Sequence, residues 1–355
     1  MTTIYDVAQK AGVAPITVSR FINQSGYISA DKRQRIEAAI AELGYVPNRL
    51  ASSLRSRRTH TLALVLSDIT NPFFTNLARG VEDAASDAGF TVILCNTDES
   101  ESKDQKYLAV LLQKRVDGIL LVPARSNPET LRMLQHNGTP VVVLDRRIPL
   151  AQADVVRGDS EGGAYQLTRL LLGLGHRAIA MLSGPQDVST AADRVTGYRR
   201  AMSEAGLAKR QQVVFFGSFR QDSGYSMAQQ ALAVRPRPTA LVAANNFITI
   251  GALRALQEGG LGVPEDMAMV GFDDLPPAMV AFPFFTVATQ PSYEMGQTGT
   301  RLLLERLEDP ADRPFQEIIL PAEVIVRRSS GNNIEDIQSL SLTPALSRRE
   351  RESDS

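Results

Sequence analysis

Residues 12–23 read GVAPITVSRFIN, a stretch that encodes a turn and then a helix. Gly12 permits the sharp turn, and Pro15 suits the first turn of a helix because its ring presets the backbone angle. Val18 with Phe21 or Ile22 forms the side that packs inward. The opposite side presents Ile16, Thr17, Ser19, Arg20 and Asn23. Upstream, residues 3–11 place Ile4, Val7, Ala8 and Ala11 at helical spacing behind a Thr3 cap. Downstream, a third helix is expected from about Ala30 to Leu43, with Ile36, Ala39, Ile40 and Leu43 inward and Gly44 ending it. Two short helices joined by a glycine turn and braced by a third make a helix-turn-helix over residues 1–46.

The charge pattern agrees with a head of this kind. Residues 1–60 carry nine Lys and Arg against four acids, a net of +5, whereas the remainder of the 355-residue chain nets −6. A small basic module on an acidic body suits phosphate binding, although a solvated charged helix gives similar counts. NRLASSLRSRR (48–58) follows Pro47 with Asn48 as a cap and Leu50, Ala51 and Leu54 along one side. Alone it is too short to be a stable helix, so residues 47–60 are read as a hinge whose order depends on a partner.

From Thr61 apolar runs alternate with amphipathic helical stretches. TLALVLS (61–67), FTVILC (90–95), DGILLV (117–122) and PVVVLD (140–145) form one ladder; RAIAML (177–182), QVVFF (212–216), TALVAA (239–244) and MAMVGF (267–272) form another. Such strands, separated by helices, require parallel sheets covered on both faces, so residues 61–330 are expected to form two doubly wound α/β lobes. Ligands of these sheets bind beyond the carboxyl ends of the strands. Asn71, Asp145, Arg146, Asn245 and Asp273 all stand at such ends, with Phe73 and Phe74 of TNPFF and Phe219 of GSFRQ as aromatic neighbours. Each alone is accounted for as a strand or helix cap. Together, groups that accept and donate pairs of hydrogen bonds beside aromatic surface suit a polyol with apolar C–H faces.

Other classes of function find little support. His-Glu-x-x-His and phosphate-loop motifs are missing, and His60, His136 and His176 are scattered, so no enzyme, metal or cofactor is expected. Cys95, the single cysteine, rules out an intrachain disulfide and is read as a core thiol. MTTIYDVAQK does not read as a secretion signal and no run is long enough for a membrane helix, so a cytoplasmic protein is expected. The tail, residues 331–355, is polar, carries Pro344 and lacks heptad leucines, and is expected to be disordered.

TIYDVAQKAGVAPITVSRFIN and ELGYVPNRLASSLRS resemble the lactose/galactose repressor (LacI/GalR) family of bacterial transcription regulators. The resemblance implies a homodimer on a pseudo-palindromic operator in double-stranded DNA, with the second helix in the major groove. It implies base contacts at Pro15, Ile16 and Arg20, with Thr17, Ser19 and Asn23 nearer the phosphates, and Leu54 of the hinge helix wedged into the minor groove. Ala14 stands where the family commonly has a Ser cap. The body is similar to periplasmic sugar-binding proteins of the ribose-binding type. On that basis Asn71, Phe73, Phe74, Asp145, Arg146, Arg194, Phe219, Asn245, Asp273 and Gln290 match the ligand-contact motifs, and Asn246 stands where Asp is frequent. With Arg146 and Arg194 balancing Asp145 and Asp273, the expected effector is a neutral monosaccharide, with a sugar acid the near alternative and a nucleobase behind both.

Overall fold

In the computed structural model the first helix, α1 (Ile4–Ala11), begins in a capping box: Asp6 N–H donates to Thr3 Oγ1 while Thr3 N–H donates to the Asp6 carboxylate. Gly12, at φ 62°, ends it in the left-handed conformation that glycine adopts without strain. α2 (Pro15–Ile22) starts with Pro15 and an Ala14 cap that offers no side-chain hydrogen bond. α3 (Ala30–Leu43) stops at Gly44, also left-handed. Val7, Ala8, Ala11, Val18, Ile36 and Ala39 are buried where the three helices meet, with Phe21, Ile22, Ile40 and Leu43 packed around them. The described residues are 2–23, 25–46, 58–149, 153–275, 283–309 and 313–331. Leu54 and nearly all of the expected hinge, and the tail beyond Gly331, lie outside them. The chain divides into two compact units, residues 1–59 and 60–355.

The second unit contains two six-stranded sheets. The first is assembled from β1 (Thr61–Leu66), β2 (Thr91–Asn96), β3 (Gly118–Leu121), β4 (Val141–Leu144), β5 (Asp154–Gly158) and, from far downstream, β11 (Glu317–Leu320), in the order β11-β5-β4-β3-β1-β2. The second takes β6 (Ile179–Ser183), β7 (Val213–Phe216), β8 (Ala240–Ala243), β9 (Ala268–Phe272), β10 (Thr286–Thr289) and β12 (Glu323–Ile325), in the order β12-β10-β9-β8-β6-β7. All neighbours run parallel except β12, which is antiparallel to β10. Central strands β1, β3, β4, β8 and β9 are buried almost throughout, which is why they read as uninterrupted apolar runs.

The helices are α4 (Pro72–Asp87), α5 (Glu101–Gln113), α6 (Glu129–His136), α7 (Ser160–Gly173), α8 (Ser189–Glu204), α9 (Gln221–Ala233), α10 (Asn246–Glu258) and α11 (Ser292–Glu308). α7 follows a strand of the first sheet yet buries Ala164, Leu167 and Leu171 against the second. α11 does the reverse, placing Met295, Leu302 and Leu303 in the first lobe's core. The chain therefore crosses between lobes after β5, after β10 and between β11 and β12. Of these twelve strands the apolar runs anticipate eight; β5, β10, β11 and β12 are added at or near the far margin of each sheet. Cys95 lies on the edge strand β2 and is half-buried, not enclosed in the core. The edge leaves one flank of the strand uncovered.

Three helix pairs approach so closely that glycine is required at the contact. A Cβ at Gly197 of α8 would penetrate the Glu161 carbonyl oxygen of α7, one at Gly251 of α10 the Gln221 carbonyl of α9, and one at Gly296 of α11 the Leu77 carbonyl of α4. Because the obstructing atoms are backbone, a rotamer change cannot relieve them. Gly251→Ala is expected to destabilise the protein by about 1–3 kcal/mol, despite the roughly 1 kcal/mol by which alanine favours a helix. An unchanged or raised melting temperature of the variant would show that the α9/α10 contact is looser than described.

Candidate functional site

The carboxyl ends of the strands in the two sheets face one another across a cleft of about 480 Å³, its open mouth included. Asn71, Phe73, Phe74, Asp145, Arg146, Arg194, Phe219, Asn245, Asp273 and Gln290, separated by up to 219 residues in the chain, all line it. Asp68, Glu99, Thr190, Arg220 and Phe247 also line it and are not among the sequence candidates. Asp68 and Glu99 lie just past the ends of β1 and β2, so the strand-end rule extends to them. Thr190, Arg220 and Phe247 sit at the starts of helices that follow second-lobe strands.

Local structure explains the placement. Asn71 caps α4 by accepting from Phe73 N–H at 3.1 Å, and Asn245 caps α10 by accepting from Ile248 N–H at 2.8 Å. Asp145 and Asp273 occupy equivalent positions just past β4 and β9. Both are left-handed, with φ of 62° and 59°, and their N–H groups donate to Val156 and Ala288 carbonyls on the adjacent strand. That conformation is uncommon outside glycine and is tolerated best by Asp and Asn. It ends the strand and leaves each carboxylate in the cleft.

Three charged groups are buried here, Asp145 and Arg146 from the first lobe and Arg194 from the second, and Asp273 of the second lobe is half-buried beside them. Burial pushes the Asp273 carboxyl up to about 6, against the opposing pull of Arg194 and the Gln290 amide, whose Nε2 lies 3.2 Å from Oδ2. The Asp145 carboxyl is raised for the same reason, with Arg146 and Arg194 opposing. Arg194 stacks with its guanidinium carbon 4.0 Å from the Phe272 ring centroid and donates through Nη1 to the Ala244 carbonyl. Its pKa is lowered by burial, against Asp273 and Asp145. Arg146 lies 5.7 Å from the Phe219 ring centroid. The Nε atoms of both arginines are buried without a hydrogen-bond partner among the described residues.

The donor and acceptor inventory divides the site. Asn71 and Asn245 have their amides committed to caps and to neighbours. Asp145, Asp273 and the two Nε donors keep capacity for a ligand. A vicinal pair of hydroxyls uses such a set well, because each hydroxyl donates to a carboxylate while accepting from a guanidinium. Phe73 and Phe74, edge-to-face at 5.1 Å, supply apolar surface on the first-lobe side and Phe219 on the second.

The lobes are also bonded directly. Asn71 and Asn246 exchange a reciprocal pair of amide hydrogen bonds, each 3.0 Å. Asn246 is thus turned onto the other lobe and does not line the cleft. Arg147 pairs with Asp193, Arg147 N–H donates to Ser189 Oγ at 2.7 Å, and Ser189 N–H donates to Ser126 Oγ at 3.0 Å. Arg125 lies 3.1 Å from the Asp187 carboxylate.

In the first unit, Val18 is the buried residue of α2, and the candidates occupy its other faces. Ile16, Arg20 and Asn23 are exposed, Pro15, Thr17 and Ser19 are half-buried, and Asn23 Nδ2 reaches Ser19 Oγ at 3.4 Å. α2 itself carries no acidic residue. An arginine among short polar side chains and an exposed branched apolar group can meet base edges and phosphates.

Known proteins bear on both units. Residues 3–48 match the family described as bacterial regulatory proteins, lacI family, and residues 59–323 match periplasmic binding proteins and sugar binding domain of LacI family. The transcriptional repressor PurR of Vibrio campbellii is 36% identical over 332 residues, covering 93% of this chain and 98% of the repressor. The ribose operon repressor of Halalkalibacterium halodurans is 36% identical over 339 residues, covering 95% and 100%. The lac repressor dimer bound to operator and the anti-inducer ONPF superposes with a TM-score of 0.81 at 27% identity, covering 93% and 99%. None of the described helices is long and apolar enough to cross a membrane.

The raised pKa of Asp273 has a definite consequence for stability. Its folded-state value, about 6, exceeds the ordinary 3.8, so the folded chain holds this proton more tightly than the unfolded chain between those values. Its contribution to stability is therefore complete below about pH 4 and is lost as pH rises through 6. Asp273→Asn should remove a pH-dependent component of the order of 2 kcal/mol from urea unfolding measured between pH 4.5 and 7. Parallel pH profiles for the two proteins would contradict the burial argument.

Proposed function

The chain belongs to the lacI family of bacterial regulatory proteins, and from that premise we propose that it represses a carbohydrate-utilisation operon in the cytoplasm under the control of a monosaccharide bound between its lobes. One observation carries the ligand class: two carboxylates and two arginine Nε donors with free capacity converge from both lobes beside four phenylalanines. A hydroxyl-rich ring with apolar C–H faces satisfies all of them. The ribose operon repressor among its relatives supports a sugar of this size. A sugar acid is the near alternative. The company of regulators among its relatives supports a role without catalysis.

Operator DNA is read by α2. Arg20 supplies a donor fork for a guanine, Ile16 a branched apolar surface for a thymine methyl, and Pro15 a further apolar contact, while Thr17, Ser19 and Asn23 meet the phosphates. One such helix reads a half-site, so the working form is a homodimer on a pseudo-palindromic operator, as the lac repressor relative's dimer suggests. Leu54 takes the minor-groove wedge in this reading.

Two measurements test the reading. Selection of bound duplexes from a random pool should return a two-fold symmetric site. On that site Arg20→Ala should cost about 1–3 kcal/mol and relax one position per half-site; an equal loss on every sequence would make Arg20 a phosphate contact instead. Calorimetry over a panel of sugars should find a ligand whose binding Asp273→Ala abolishes. Equal affinity for wild type and variant would place the effector elsewhere.

A further inference from the structure

Glu99 is the cleft residue with the most unusual support. It follows Asp98 in the loop after β2, and both are left-handed, with φ of 53° and 61°. Two successive non-glycine residues in that region carry a backbone cost that the surroundings must hold in place. They do so: Glu99 N–H donates to the Ser67 carbonyl at 3.1 Å, Asp98 accepts from Asn96 at 2.7 Å and pairs with Lys103, and Asn96 accepts from Ile69 N–H at 3.0 Å. The result aims the Glu99 carboxylate along the guanidinium of Arg146. Oε1 takes Nη2 at 2.6 Å and Oε2 takes Nη1 at 2.7 Å, a fork-to-fork pair, and Nη1 also donates to the Pro123 carbonyl at 2.8 Å.

Arg146 thus has its planar fork committed, and mainly its Nε remains for the cleft, 3.7 Å from Asp145. Arg194 has no such partner among the described residues, and the two arginines respond oppositely to the same burial. Desolvation is outweighed at Arg146 by the charge and hydrogen bonds of Glu99 together with the charges of Asp145 and Asp104, whereas at Arg194 it prevails. Counting the lining residues, four carboxylates (Asp68, Glu99, Asp145, Asp273) face three guanidinium groups (Arg146, Arg194, Arg220).

We propose that Glu99 determines the charge specificity of the cleft: by holding the Arg146 fork it withdraws the geometry that would bind a carboxylate or phosphate, so that neutral polyols enter and anionic analogues are rejected. This rests on the reading of the cleft as the ligand site and narrows its ligand to an uncharged sugar. A planar guanidinium fork is the group best suited to bidentate oxyanion binding. Occupied by an internal carboxylate, it offers an incoming anion only repulsion.

The test uses the full chain and inorganic phosphate, followed by calorimetry and by the shift in melting temperature. Glu99→Ala should bind phosphate at least about tenfold more tightly than wild type, as expected for gaining a charge-assisted hydrogen-bonded pair. The gain should vanish in the double variant Glu99→Ala, Arg146→Met. If the alanine variant fails to fold, Glu99→Gln, which lacks the negative charge, carries the same comparison. Equal phosphate affinity in wild type and variant, or a gain that survives loss of Arg146, overturns the proposal. D-ribose titrated into wild type reports separately on the sugar site. A phosphate gain without ribose binding would count against ribose as the effector and leave the role of Glu99 standing.

Discussion

Two arginine side chains, Arg146 and Arg194, are buried between the lobes, and the surrounding structure is arranged to make that tolerable. An isolated buried charge is prohibitively costly, so each must meet carboxylates and hydrogen-bond acceptors within the protein. Asp145 and Asp273, turned inward by left-handed backbone at the ends of β4 and β9, supply charge from both sides. Glu99 supplies more to Arg146 than to Arg194. The imbalance leaves donors and acceptors unsaturated where a ligand would sit, which is how a stable fold can also be a binding site.

The triple crossing makes the cleft responsive. The lobes are tied by three chain segments and by direct bonds among Asn71, Asn246, Ser126, Arg147, Ser189 and Asp193. A ligand that bonds Asp145 on one side and Asp273 on the other competes with this arrangement and selects one relation of the lobes over another. In the proposed function that selection reaches the head along residues 47–60, whose sequence is too short to hold a helix unaided. The linkage is reciprocal: a ligand that weakens operator binding is itself bound more weakly by the DNA complex.

How much of this was legible in the sequence follows from how local each signal is. Gly12, Pro15, Val18 and Gly44 act within a few residues of themselves, and the three helices of the head follow from them. Six of the eight strands read from apolar runs are buried on both faces, and β2 and β7, at the sheet edges, were legible because their side chains are apolar although partly exposed. TVAT of β10 and EVI of β12 are short, and EIIL of β11 is partly exposed, so their apolar patterns are brief. The two final strands also enter different lobes, which nothing within three or four residues can specify. The ten candidate ligand residues meet in one cleft because strand ends and helix caps are local features that the topology collects. Glu99 escaped because its role depends on Arg146, 47 residues away, and on a backbone conformation that glutamate seldom adopts. The core reading of Cys95 holds only in part for a related reason: it packs against the first lobe's core, but β2 lies at a sheet edge and leaves it half-buried.

The central claim is that sugar binding in the cleft changes DNA binding by the head. The direct measurement is operator affinity by fluorescence anisotropy across a range of concentrations of the sugar identified by calorimetry, on a duplex recovered by selection. The account predicts an operator dissociation constant that shifts and then saturates, with a sugar midpoint lying between the affinities for free protein and for the DNA complex. Operator affinity that stays flat while the sugar saturates the cleft would contradict it.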